Sequence, residues 1–245
     1  MPKCEVRRLG RVPYAEAWAL QKTLAAERAA DHIPDTLLLL EHPHTYTFGR
    51  KGQIENLLLN EAERIARGIE VHWVDRGGDV TYHGPGQLVG YPLLKLGAPA
   101  GGENRLPRAD YVGYVRKLEE VLIRVCARFG VVAGQLSGLT GVWIQPDVAS
   151  RCAFCPPAAR LAPSKIAAIG VKVDARGISQ HGFALNVKPN MDYFNGIIGC
   201  GLKDHAPISL ADLLEQPPEM DTVMDEAARQ FGRVFELEMV ELALQ

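Results

Sequence analysis

Three short segments of this chain carry the residue types that could do covalent chemistry. Arg76–Leu94, RGGDVTYHGPGQLVGYPLL, sets Gly77, Gly78, Gly84, Gly86 and Gly90 among Arg76, Thr81, Tyr82, His83 and Gln87. Glycine tolerates positive φ and lets the backbone approach a ligand, so this run reads as a tight, polar, ligand-facing loop as readily as a set of turns. Ser164–Val187 supplies Lys165 at the start of an apolar strand, KIAAIGV, where an unpaired ammonium is costly to bury. Such a lysine either reaches solvent or has a chemical task. Phe194–Leu202, FNGIIGCGL, places Cys200 between two glycines, which leaves a normally buried residue type accessible. An ordinary thiol with a pKa near ~8.5 is only a few per cent thiolate at neutral pH, so a nucleophilic cysteine needs a cation or base beside it. Lys165 and His83 are the candidates for that partner.

Six blocks in order are similar to one known family. EHPHTYTFGR (Glu41–Arg50), RGGDVTYHGPGQ, TGVWI (Thr140–Ile144), KIAAIGVKV, QHGFALNV and the terminal CGL resemble the lipoyl(octanoyl) transferases of lipoate biosynthesis. The resemblance runs from about Leu37 to about Leu210. It implies an α+β fold, a mixed β-sheet flanked by helices, like the catalytic domain of biotin and lipoate protein ligases. It also implies a reaction: Cys200 takes an octanoyl group from acyl carrier protein as a thioester and passes it to a lysine of a lipoyl domain. Cys200 matches the family's nucleophile, and Lys165 the lysine that favours its thiolate.

The same resemblance assigns the acyl site to Arg76, Gly77, Gly78, Asp79, Val80, Thr81, Tyr82 and His83, to Ala168, Ile169 and Gly170, and to Gly182, Phe183 and Ala184. Small side chains at Ala168, Gly170, Gly182 and Ala184 suit a narrow slot for an alkyl chain. Implied acceptors are the lipoyl domains of 2-oxoacid dehydrogenases and the glycine-cleavage H protein. Backbone amides at Gly77, Gly78, Cys200 or Gly201 are candidates for stabilising a developing oxyanion. His83 is read as positioning the loop rather than as the base, and His42, His44 and His181 as structural. One departure is plain: the family commonly has proline before the cysteine, and this chain has Gly199.

Three rival readings stay in view. A lipoate–protein ligase would activate a free acid with ATP and needs no nucleophilic cysteine; an amidotransferase would move the acyl group between two carrier domains; an acyl-carrier-binding protein would do no chemistry. The chain holds neither G-x-x-x-x-G-K-[ST] nor G-x-G-x-x-G, and thioester-to-amide transfer needs no nucleotide. No cofactor is expected, and no metal, since H-E-x-x-H spacing is missing and Cys152/Cys155 lack a second pair.

These groups must be positioned by ordinary elements. Periodicity predicts a helix from Pro13 to about Ala30, with Tyr14, Ala17, Trp18, Leu24 and Ala25 on one face, and another from Arg108 to Phe129. Short helices are expected at Glu61–Arg67 and Ser209–Leu214, and a longer one from Glu219 to Phe231. Strands are expected at Asp35–Glu41, Thr45–Arg50, Glu70–Asp75, Gln87–Leu94 and Thr140–Ile144. Lys165–Asp174 and Ile178–Val187 should form a hairpin. Gln145–Pro163, rich in proline, reads as an inserted surface loop.

The 245 residues suffice for one sizeable domain, 1–245, with 47% hydrophobic and 23% charged residues. A net charge of −2 gives no global drive toward nucleic acid or anionic membrane. Five irregularly spaced cysteines and no export-type apolar leader point to reduced thiols and the cytoplasm.

Overall fold

Asp35–Glu41 (DTLLLLE) is apolar at consecutive positions because both of its faces are covered. It becomes one of the inner strands of a large sheet, with Leu37 and Leu39 in one core and Leu38 and Leu40 in another. The computed structural model describes residues 1–97, 109–199 and 205–242. Their strands are β1 (Lys3–Arg11), β2 (Asp35–Glu41), β3 (Thr45–Phe48), β4 (Glu70–Trp73), β5 (Val80–His83) and β6 (Gln87–Leu93). Then follow β7 (Gly134–Leu136), β8 (Leu139–Ile144), β9 (Ser164–Val173), β10 (Ser179–Asn186) and β11 (Glu238–Glu241). The helices are α1 (Tyr14–Ala29), α2 (Glu61–Ala66), α3 (Tyr111–Arg128), α4 (Pro146–Ser150) and α5 (Met220–Phe235).

Eight strands form one mixed sheet in the order β11-β1-β2-β6-β10-β9-β8-β7, and three form a second in the order β4-β3-β5. The result is a single α+β domain, as the sequence leads one to expect. Helices α3 and α5 pack on one face of the large sheet through Leu118, Leu122, Val125, Ala227 and Phe231. Helix α1 covers the other face with Ala17, Leu24 and Ala25. The small sheet has its own core of Tyr46, Phe48, Val80 and Tyr82.

Side-chain caps account for two of the helix starts. Asn60 and Glu63 form a reciprocal capping box at α2, and Asp110 accepts the Gly113 amide at 2.7 Å to start α3. Pro13 stands just before α1 with extended backbone (φ −52, ψ 141) rather than inside it.

Several expectations need correction. Ser209–Leu214 is a turn, not a helix: Asp212 takes both the Ser209 amide and hydroxyl, a local bond that replaces helical pairing. Helix α5 runs past Phe231 to Phe235, whereas β3 and β4 stop at Phe48 and Trp73. Strands β1 and β11 were not expected at all. Gln145–Pro163 is not a loop lying on the surface: it folds into α4 and a turn of 3₁₀ helix (Pro157–Arg160), and buries Ala149, Cys155 and Ala159 in the main core. Its tips remain outside, with Phe154 and Leu161 exposed. Among the described residues, no helix is long and apolar enough to cross a membrane.

Candidate active site

The floor of the site is the hairpin β9–β10, and its register explains why small residues stand there. Gly182 pairs with Gly170 and Ala184 with Ala168, so opposed small side chains line one face of the two strands. Gly182 could not be larger: a Cβ there would lie 2.1 Å from the Gly90 carbonyl oxygen on β6. Gly170 lies under the 76–78 loop, where a Cβ would come within 3.1 Å of the Arg76 side chain.

That loop is the opposite wall. The Arg76 guanidinium is buried and donates to the backbone oxygens of Thr47 (2.5 Å), Gly77 (2.9 Å) and Asp79 (2.8 Å), which ties the loop to β3. Gly78 takes φ +86, and Gly49 must lack a side chain because a Cβ there would sit 2.4 Å from the Gly78 oxygen. The Gly77 amide is already committed to the Val171 carbonyl at 2.9 Å, so it is not a donor for an oxyanion. This corrects the sequence-based suggestion for Gly77.

The stretch 76–83 is half loop and half strand, and alternation in β5 divides it. Thr81 and His83 face a cavity of about 360 Å³, together with Arg76, Gly77 and Gly78. Val80 and Tyr82 point the other way into the small core, where the Tyr82 hydroxyl meets His44 Nδ1 at 2.9 Å. Asp79 accepts the Gln53 amide at 3.1 Å and the Asn56 side-chain amide, and serves the loop rather than the cavity. Ala168, Ile169, Gly170, Gly182, Phe183 and Ala184 all border that cavity.

Lys165 lies on β9 opposite Trp143 of β8, with Nζ 4.6 Å from the indole centroid. Gly141, at φ +123, leaves room for it: a Cβ there would meet the lysine Cε at 3.4 Å. On its other side, the Lys165 amide donates to Ala206 and its carbonyl accepts from Ile208, both at 3.0 Å. A second cavity of about 410 Å³ opens here, bordered by Trp143, Ile198, Gly199 and His205. The two cavities share Thr81, Lys165 and Ala168. Cys200 lies outside the described residues; Gly199 and His205, on either side of 200–204, both border the second cavity.

His83 is held by a directed chain. Gln87 uses its amide nitrogen on the Tyr82 carbonyl (3.2 Å) and Asn186 Oδ1 (2.9 Å), so its oxygen must accept from His83 Nδ1 at 2.9 Å. Asn186 in turn donates to the Ile208 carbonyl at 2.9 Å. The chain thus couples β5 to the segment that pairs with Lys165. Full burial drives the His83 pKa well below its ordinary value, with His42 and Arg76 adding to the effect, so the ring is neutral.

His181 is the residue that sequence reasoning undervalued. It is buried and borders the first cavity, in left-handed backbone (φ 56) that is unusual for a non-glycine. Its amide donates to Gln21 Oε1 at 2.7 Å, and its Nε2 meets Asp75 Oδ1 at 2.8 Å. Asp75 also pairs with Lys172; the His181 hydrogen bond and Lys172 hold its carboxyl well below the usual carboxylate range. The one available signal was its place directly before Gly182. Of the other histidines read as structural, His42 spans the Val12 carbonyl and the Tyr91 hydroxyl, both at 2.7 Å.

The mixed sheet flanked by helices is a fold this chain shares with lipoate–protein ligases. The chain belongs to the lipoyl protein ligase A/B catalytic domain family, whose model matches residues 13–232. It is 45% identical over 233 residues to the octanoyltransferase of Chloroflexus aurantiacus, covering 95% of this chain and 94% of that one. To the octanoyltransferase of Acidobacterium capsulatum it is 46% identical over 229 residues, with 93% and 88% covered. The fold is also that of the bipartite lipoate protein ligase of Thermoplasma acidophilum, with a TM-score of 0.67 at 15% identity, covering 100% of this chain and 87% of that one. A lipoate-protein ligase A bound with ATP gives 0.64 at 14%, with 100% and 89% covered.

Proposed function

We infer that this chain is an octanoyltransferase of protein lipoylation, moving an octanoyl group from an acyl carrier to lipoyl domains. Octanoyltransferase relatives at 40–46% identity, several of them aligned over nearly their whole length, support that reading. The single structural observation that carries it is the meeting of two cavities at Lys165, Thr81 and Ala168. A thioester has an acyl chain on one side of its carbonyl and a carrier on the other, and this junction offers room for each. In the first cavity, paired small residues accept an alkyl chain whose burial contributes on the order of 0.8 kcal/mol per methylene.

The proposed mechanism is covalent. The Cys200 thiolate attacks the acyl carbonyl carbon; the carrier's sulfur leaves and takes a proton. The ε-amine of a lipoyl-domain lysine then attacks the new thioester, an amide forms, and Cys200 departs as thiolate. Lys165 favours the thiolate by charge in the first step, gives its proton to the departing carrier sulfur, and as the amine so formed accepts the attacking amine's proton in the second. His83, neutral and hydrogen-bonded through Gln87, positions the wall of the acyl slot. The acceptors are lipoyl domains of 2-oxoacid dehydrogenases and the glycine-cleavage H protein, reached in the cytoplasm.

The test is intact mass after incubation with octanoyl–acyl carrier protein, without ATP, beside Cys200→Ser. An octanoyl adduct on the wild type that a lipoyl domain discharges, and that the variant lacks, is the expected result. Lipoyl-domain acylation that appears only with free octanoate and ATP would replace this reading with a ligase.

A further inference from the structure

Tyr14, His83, Tyr91 and His181 border the first cavity together as a cluster of rings. Tyr14, the first residue of α1, is buried there with its hydroxyl 3.4 Å from His181 Nδ1. Its ring stacks on His83 at 5.9 Å. The hydrogen-bond directions in this cluster are set from outside it. Asp75, an acceptor, takes the proton of His181 Nε2, which leaves Nδ1 to accept. The Val12 carbonyl takes the proton of His42 Nδ1, so His42 Nε2 accepts from Tyr91. Gln21 grips the His181 backbone from behind. A cluster with its partners fixed on both sides does not swing away without leaving buried polar groups unpaired.

The cluster stands at a definite distance from the junction. His181 pairs with Val171 on β9, three residues from Ala168, which borders both cavities. A strand rises about 3.3 Å per residue, so the two positions are about 10 Å apart. An extended carbon chain, with ~1.5 Å bonds at tetrahedral angles, advances about 1.3 Å per carbon, so eight carbons span about 9 Å. The small pairs Ala168/Ala184 and Gly170/Gly182 fill that interval.

We propose that Tyr14 and His181 are the specificity-determining residues that set the upper limit of acyl-chain length, by closing the slot one eight-carbon span from Ala168. The proposal rests on the transferase reading and names what sets its substrate. Chains longer than the slot must displace the Tyr14 ring or leave their terminal methylenes outside.

The experiment compares covalent loading rates from acyl–acyl carrier proteins of six to fourteen carbons for wild type, Tyr14→Ala, Tyr14→Leu and His181→Ala, read by intact mass. Wild-type loading should fall off beyond eight to ten carbons. The shortened Tyr14 variants should raise the twelve-to-eight-carbon rate ratio at least tenfold, with little change in the six-to-eight ratio. Tyr14→Leu supplies the same readout if Tyr14→Ala does not fold. Folded variants, by circular dichroism, whose chain-length profile matches the wild type would overturn the gauge and leave the transferase standing. A wild type that loads no chain of any length would overturn the transferase and the gauge with it.

Discussion

Lys165 and Trp143 are partners across β9 and β8, and the lysine Nζ rests 4.6 Å from the centre of the buried indole. The ring's negative face and its fixed position hold the cation at the junction of the two cavities instead of letting it reach solvent. A charge held there lies beside both cavities, whose second is bordered by Gly199. Lys165→Met should therefore slow acyl loading by roughly 10²- to 10³-fold, the usual scale for a lost acid–base group. Raising the pH should restore part of that loss, since more thiol ionises unaided. Loading rate against pH is the check; a variant as fast as the wild type at every pH removes Lys165 from the mechanism.

Ala168→Leu should plug the slot while leaving the fold intact. The alanine is only partly buried because it borders empty space. The expected outcome is loss of octanoyl loading of about tenfold or more, with a thermal midpoint within a few degrees of the wild type. Loading at the wild-type rate would move the acyl chain out of this cavity.

Gly182→Ala probes the same floor from the stability side. A methyl 2.1 Å from the Gly90 oxygen cannot be accommodated without moving β10 away from β6. Overpacking of this kind costs about 1–3 kcal/mol. Urea unfolding should show a lower midpoint with an unchanged slope.

His42 makes stability depend on pH. Burial pushes its pKa down to about 4 from 6.5. The unfolded chain therefore binds a proton that the folded one refuses between those values. The contribution is complete above about pH 6.5 and is lost as pH falls toward 4, at on the order of 1.4 kcal/mol per unit. His42→Gln, which keeps an acceptor for Tyr91, should flatten the thermal midpoint between those pH values. An equally steep wild-type and variant profile would assign the acid sensitivity to other groups.

Thiol reactivity should separate the cysteines. Burial pushes Cys4 and Cys126 up to about 12, and Cys155 likewise, with Cys152 adding to the effect. Native protein treated with iodoacetamide near pH 8 should leave these three unmodified by peptide mass mapping. Labelling of Cys155 at the rate of an unfolded control would contradict the packing of the Gln145–Pro163 segment.

Much of this was legible in the residues themselves. A four-leucine run with prolines on both sides reads more like a buried strand than a helix, and it is one. The hairpin around Arg176 was visible in its turn, which Asp174 closes by accepting the Arg176 and Ile178 amides. The resemblance pointed to the small residues Ala168, Gly170, Gly182 and Ala184, and the pairing of β9 with β10 puts them on one face. Strand alternation, applied to VTYH, would have parted Thr81 and His83 from Val80 and Tyr82.

What escaped depended on partners far along the chain. Strand β1, KCEVRRLGR, fully buries only Cys4 and Val6, too few apolar positions to mark a strand locally. It is a strand because β2 and β11 flank it in parallel, while Arg8 finds Asp225 and Glu241. His181 holds a backbone conformation that its own sequence disfavours, since Gln21 and Asp75, more than a hundred residues away, repay the strain. Local pattern by itself determined most of the elements and which of their faces are apolar. Tertiary structure alone decided which of those residues meet, which amides are already spent, and how long the slot is, because each is a distance between elements that no local preference encodes.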